Sequence, residues 1–442
     1  MNHLIAKEYK MGGLIRFALP SIIMMIFMSL YTIVDGFFVS RFVGTDALSA
    51  INIVYPVISG VIAIGVMFAT GGNAVVAIRM GEGNMKKAKS SFSLITVTTL
   101  IVCTVFCGAV LLFIKPVVSI LGADDGLVPL CIAYLTPLML SAPMSALQML
   151  FQSFFVTAGR PALGLKLTIA AGLCNMLFDY IFIALFSMGI AGAAYATAMG
   201  YMIPAIGGVI FFFLNKKGLC FAKPVFDGKV LFQSCTNGSS EMVTNLSGSM
   251  TTLLFNIILM KLAGPDGVAS ITVVLYSQFL MTSLFMGFSI GVAPVISYHC
   301  GAGSRDYLRR LYRMCIAFVL VASVVIFAAA FSISGLIAAL FAPAGSRVAV
   351  LAAEGLRLFS FAFLAAGINI FASALFTAVS DGRTSAIISF SRTFLFTVLG
   401  TLLLPRFFGL NGVWLAIPFA EAVTCILVIC IALHKINRKK MD

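Results

Sequence analysis

Apolar runs of about 20 residues or more recur along this chain, separated by short polar turns. That recurrence limits the possible folds more than any other feature. A hydrocarbon core ~30 Å thick takes about 20 helical residues to cross, and only helices and closed barrels leave no backbone polar group unpaired inside it. Twelve runs are long enough, at about 15–40, 47–78, 91–114, 127–156, 163–186, 190–214, 231–262, 268–300, 308–333, 346–379, 385–406 and 411–434. Several exceed the minimum, which predicts tilted or bent helices. Of the 442 residues, 61% are hydrophobic and 10% charged, against about 25% charged in soluble domains. The chain therefore reads as an all-α, multi-pass membrane protein.

Lys and Arg gather on the cytoplasmic side of membrane helices. If both termini share one side, most of the 29 basic residues fall there, leaving only Arg41, Lys115, Lys261, Arg347, Arg357 and Arg406 opposite. This predicts a cell-membrane protein with both termini cytoplasmic. The net charge of +14 sits in short loops, with no basic stretch interleaved with aromatics, so no nucleic-acid partner is expected. The partners implied are the lipid bilayer and small molecules, and no obligate protein partner is evident. The ten cysteines are scattered through apolar runs without metal or redox spacing. The first run has no short h-region with a small-residue cleavage site, so it is expected to remain a membrane helix.

The chain also repeats itself at an offset of 220 residues. SRFVGTDALSAI (40–51) aligns with MKLAGPDGVASI (260–271), matching Gly44 to Gly264. GGNAVVAIRMGEG (71–83) aligns with GVAPVISYHCGAG (291–303), and MGIAG (188–192) with FGLNG (408–412). Each repeat holds six spans, an even number, so the two halves share one orientation and are related by an axis along the membrane normal. The expected organisation is an amino-terminal six-helix lobe (1–214), a linker (215–229) and a carboxy-terminal six-helix lobe (230–442).

Polar residues inside the spans carry the chemistry. A carboxylate near a helix centre costs ~2.5–3.5 kcal/mol on insertion scales and marks an ion or proton pathway by default; Asp35 lies in the first span. In the fifth, GLCNMLFDYIF puts Asn175 and Asp179 four apart on one helix face. Asp35 is nine residues before Gly44 and Asp179 ten before Gly189, so the two acids lie at nearly one depth. Two neighbouring buried carboxyls do not both carry charge cheaply, which permits proton uptake near neutral pH. With Asn175 they alternatively supply oxygen ligands for a hard cation such as Na+; a third reading is that the polar groups only satisfy one another. Tyr31 and Thr197 are candidate hydrogen-bond partners. Pro20 lacks the amide for a helical bond and is expected to bend or loosen the first span.

The pattern YTIVDGFFVSRFVGTDALSA, the glycines after span two, NxxxD in span five and GxxGAAxAT in span six resemble the multidrug and toxic compound extrusion family across nearly the whole chain. The resemblance implies that Asp35, Asn175, Asp179, Tyr31 and Thr197 match an amino-lobe polar cluster coupling export to H+ or Na+ entry. Pro20 then matches a first-helix proline implicated in bending. The second half departs from the pattern. Spans seven and ten carry Phe255 and Ala366 where the sodium-type branch has acids. Candidates for a carboxyl-lobe polar site are Glu421, about mid-membrane in span twelve, Arg392 in span eleven within reach of it, and Glu241. The last is read either as a gate or substrate contact near the cytoplasmic end, or as an acid snorkelling to the surface. His299 is expected to be a satisfied residue at a helix end.

These features imply a secondary antiporter that exports organic, often cationic and amphipathic compounds in exchange for H+ or Na+ by alternating access, with no other cofactor. The alternative is a flippase for a lipid-linked saccharide, which would favour a cavity lined with cations; the spans hold chiefly Arg392. An enzyme is not expected, since the only histidines are His3, His299 and His434 and no nucleophile–base pair lies within the spans.

Overall fold

The computed structural model describes residues 4–43, 45–216, 218–343 and 345–441, except for the side chains of 36–42, 45, 46, 48 and 436–441. The described residues form helices and turns without a strand. The first lobe contains α1 (Met11–Phe42), α2 (Thr45–Gly81), α3 (Met85–Leu112), a short α4 (Ile114–Ile120), α5 (Val128–Thr157), α6 (Pro161–Asp179) and α7 (Gly189–Leu214). In the second are α8 (Gly228–Gly301), α9 (Arg305–Ser332), a short α10 (Ser334–Phe341), α11 (Arg347–Phe359), α12 (Phe363–Ala378), α13 (Gly382–Phe390), α14 (Phe396–Phe408) and α15 (Leu410–Met441).

These segments make twelve spans. The 74-residue α8 is two of them, because its path breaks at Gly264 with φ 69° and ψ −157°, a backbone state open to glycine and disfavoured for side chains with a Cβ. The tenth span is α11 continued through a 3-10 turn into α12, and the eleventh is α13 continued through a π-helical turn, Ser391–Leu395, into α14. A second π-helical turn, Tyr180–Leu185, prolongs α6. Most helices begin a few residues before the apolar runs do. Their first turns are polar, and caps hold them: Asn84 accepts the Lys87 amide, and Asp381 that of Thr384.

The 220-residue register recurs in the backbone. Gly83 and Gly303 share a positive φ of 78° and 68°, as do Gly189 and Gly409 at 59° and 56°. The short α4 and α10 also start 220 residues apart; neither was legible as an element in the sequence. Gly44, expected to pair with Gly264, lies outside the described residues.

Glycines also join the lobes, and they do so reciprocally. A Cβ on Gly81 would meet the Tyr298 carbonyl oxygen at 2.0 Å, and one on Gly301 the Ile78 oxygen at 2.1 Å. In the 220-residue register these are the same contact seen from either lobe, as an interface about a twofold axis requires. Gly71 against Gly238 and Gly291 against Ala18 form a second such pair. All of these contacts lie in the halves of α1, α2 and α8 nearer the face that carries the chain termini. At that face the two lobes meet backbone to backbone.

The same face holds the segment 218–227, which runs between the lobes without helix. It is tied to α3, with the Ala222 amide donating to Ser93 Oγ at 2.9 Å and the Val225 amide to Ser90 Oγ at 3.1 Å. Phe221 stacks on Phe92 with centroids 5.1 Å apart. Residues before α1 also cross over: Ile5 is fully buried, and the Tyr9 amide donates to Tyr307 Oη at 2.7 Å.

Candidate functional site

Small residues bring α1, α6 and α7 together. Gly172 on α6 leaves room for the rings of Phe27 and Tyr31 from α1; a Cβ there would come within 2.5 Å and 3.2 Å of them. Gly200 on α7 similarly faces Ala171 and Asn175. The seam carries Asp35 to within hydrogen-bonding reach of Asp179, as their matched depth predicted. A hydrogen bond between two carboxyls requires one of them to hold a proton.

Asp179 is fully buried and Asn175 nearly so. Apart from the contact between the acids, both Asp179 oxygens, Asp35 Oδ1 and Asn175 Oδ1 have no hydrogen-bond partner among the described residues. Buried polar oxygens left in this state are costly, and the four, with Asn175 one turn from Asp179 on α6, form a donor set suited to a proton or a hard monovalent cation. The π-helical turn begins immediately after Asp179; such turns recur at functional sites.

Tyrosines surround the pair. Tyr31 on α1, Tyr134 on α5 and Tyr201 on α7 lie close enough to interact electrostatically with Asp35. So does Tyr276, which belongs to the second lobe. Of these only Tyr31 was singled out from the sequence; a tyrosine in an apolar span gives no sign of which helix it faces. Thr197 is half-buried on α7 and makes no hydrogen bond to the acids. Pro20 sits within an uninterrupted α1, two residues from Ile22, whose Cα would lie 2.5 Å from a Cβ on Gly287.

In the second lobe Arg392 Nε donates to Glu421 Oε1 at 2.9 Å, the contact expected from two costly groups on consecutive spans. Glu421 is only 3% exposed. Its other oxygen accepts Asn369 Nδ2 at 2.7 Å, and its backbone oxygen accepts the same amide at 2.8 Å. Asn369 was missed in the sequence, where a lone amide in FLAAGINIF has no motif around it. Glu241 is half-buried and within electrostatic reach of Arg392. Phe255 and Ala366 are buried at the positions where acids were absent. His299 differs from expectation. It is buried, its ring 4.4 Å from that of Tyr307 and beside the Lys7 backbone, with neither ring nitrogen in a well-formed hydrogen bond among the described residues, because the segment before α1 covers the helix end.

The whole chain superposes on solved MATE transporters. With one described as an outward-facing multidrug resistance MATE family transporter, the TM-score is 0.92 at 20% identity, covering 100% of this chain and 99% of that one. A MATE crystal structure in the straight conformation gives the same score and identity, with full coverage of both chains. Among curated proteins, the multidrug export protein MepA of Staphylococcus aureus is 24% identical over 97% of this chain and 95% of its own length. The MatE family model matches twice, over residues 20–181 and 242–403, once in each lobe and close to the register of the repeat. The chain therefore belongs to the MatE family.

Proposed function

We propose that the protein is a secondary antiporter that exports organic, amphipathic and often cationic compounds across the cell membrane in exchange for H+ or Na+. The observation that carries this reading is the Asp35–Asp179 pair, buried in one lobe with unpartnered oxygens around it. Transport with coupling needs a site whose occupancy changes the relative stability of two lobe arrangements. Neutralising a buried acid pair has that effect, because it removes a desolvated charge. Tyr276 of the opposite lobe lies within electrostatic range of Asp35, a route by which occupancy would bear on lobe position.

The termini face is taken as cytoplasmic, following the Lys and Arg bias. The backbone contacts between lobes at that face then correspond to an outward-open state, consistent with the likeness to an outward-facing transporter. MepA is named as a multidrug exporter, which supports the same substrate class here. The residues present fit either coupling ion: Asp35, Asp179 and Asn175 supply hard oxygens for Na+, and the acids alone suffice for H+. A lipid-linked saccharide is not favoured, since the cation inside the second lobe, Arg392, is already neutralised by Glu421.

The test is dye accumulation in everted vesicles, driven separately by a pH gradient and a sodium gradient. Asp35→Asn and Asp179→Asn are each expected to reach the membrane and bind substrate but lose gradient-driven efflux. The double variant should be no worse than either single one, as residues acting as a unit are non-additive. Near-normal efflux in both single variants would remove the pair as the coupling site.

A further inference from the structure

We infer that a cavity at the termini face, between α1 and α6, binds the headgroup of an anionic phospholipid. The cavity has a volume of about 450 Å³, within the ~300–1,000 Å³ of small-molecule sites. Arg16 and Pro20 of α1 line one wall; Arg160, Leu163 and Lys166 at the start of α6 line the other, with Phe211 of α7 also contributing. It has three cationic and no acidic lining residues.

Three of the other basic residues at this face are paired, Arg79 with Asp227, Arg309 with Asp306 and Lys435 with Asp381, and the rest do not line this cavity. Arg16, Arg160 and Lys166 have no acidic partner among the described residues, although they converge on one cavity. Like charges gathered around a hollow repel unless an anion lies between them. The apolar part of the lining, Leu163 and Phe211, suits the glycerol and first methylenes of a lipid better than a hydrated ion. From the cavity, Leu19 and Ile23 continue along α1 with 44% and 41% of their surface exposed, an apolar track for an acyl chain. Basic pockets between transmembrane helices at a membrane boundary select anionic headgroups on these grounds. The bound headgroup bridges the first turns of α1 to those of α6, the helices that carry Asp35 and Asp179. This inference does not depend on the transport reading.

Native mass spectrometry of the full-length protein, extracted with equimolar phosphatidylglycerol and phosphatidylcholine, tests it. The wild type is expected to retain phosphatidylglycerol preferentially and to gain thermal stability from it. The triple variant Arg16→Gln/Arg160→Gln/Lys166→Gln should lose that preference by about tenfold or more, since each basic residue near an anionic surface contributes roughly fivefold. Removing the same charge elsewhere, with Lys86→Gln/Lys87→Gln/Lys89→Gln, should leave it intact. If the triple variant does not fold, the three single variants are read in its place, each expected to lower the preference severalfold. Equal retention of both lipids, an unchanged preference in the cavity variants, or an equal loss in the control variant would overturn the inference. So would inorganic phosphate stabilising the lipid-free protein as well as phosphatidylglycerol does, which would indicate a site for small anions.

Discussion

Glu421 shows how a buried charge is made tolerable residue by residue. Its two carboxylate oxygens are divided between Arg392 and Asn369, so neither faces the apolar interior alone. Removing one partner of a buried pair typically costs ~3–5 kcal/mol because the other charge remains uncompensated. Arg392→Gln is therefore expected to lower thermal stability markedly, and Glu421→Gln to do so through the stranded guanidinium. Replacing both should cost less than the sum of the single effects, as contacting residues couple. Melting curves of the three variants in one detergent check this; additive losses would mean that the pair is not an energetic unit. The Asp35–Asp179 pair is built differently. Among the described residues no cation pairs with it and its oxygens have few partners, which is why we propose it, rather than the neutralised Glu421, as the exchange site.

Among the elements, the entry to α8 combines two stabilising contacts in one side chain. Asp227 Oδ1 caps the helix by accepting the amides of Lys229 and Val230, and Oδ2 accepts Arg79 Nη2 at 3.0 Å. The Arg79 guanidinium, followed by the cap amides, holds the Asp227 carboxyl below its ordinary range. A depressed carboxyl contributes stability above its unfolded value, near 3.9, and loses it as pH falls through the folded value. Asp227→Ala should cost about 1 kcal/mol through the cap, with little more from a pair this exposed. Asp227→Asn should retain most of the cap. The gap between wild type and Asp227→Asn should stay constant from neutral pH to about pH 5 and close only below the ordinary carboxylate range. Thermal melts across that interval measure it, and a gap that closes near neutral pH would contradict the assignment.

For the whole molecule, the reciprocal glycine contacts make a specific demand. Gly81 and Gly301 occupy equivalent positions, each against a carbonyl of the other lobe. Overpacking typically costs ~1–3 kcal/mol, and each 1.4 kcal/mol is a tenfold change in a two-state population. Gly81→Ala and Gly301→Ala should therefore each disfavour the arrangement closed at the termini face by about tenfold, and to a similar degree. Spin-label distances across α2 and α8 would report the shift. An effect confined to one of the two variants would break the symmetry argument.

Span number and the twofold repeat are properties of one dimension. They rest on hydropathy and on glycine register, so they were legible before any coordinates. The matched depth of Asp35 and Asp179 was legible for the same reason, since rise per residue converts a count into a height. What counting leaves open is rotation about each helix axis and which helices are neighbours. Only the packed structure decided that Asn369 completes the Glu421 site and that Tyr134, Tyr201 and Tyr276 come within electrostatic range of Asp35. The cavity beside Pro20 likewise arises from elements far apart in the chain and has no sequence signature. In a chain whose helix faces are apolar nearly all round, no amphipathic stripe marks the buried side. Small residues and close backbone approach determine which faces meet.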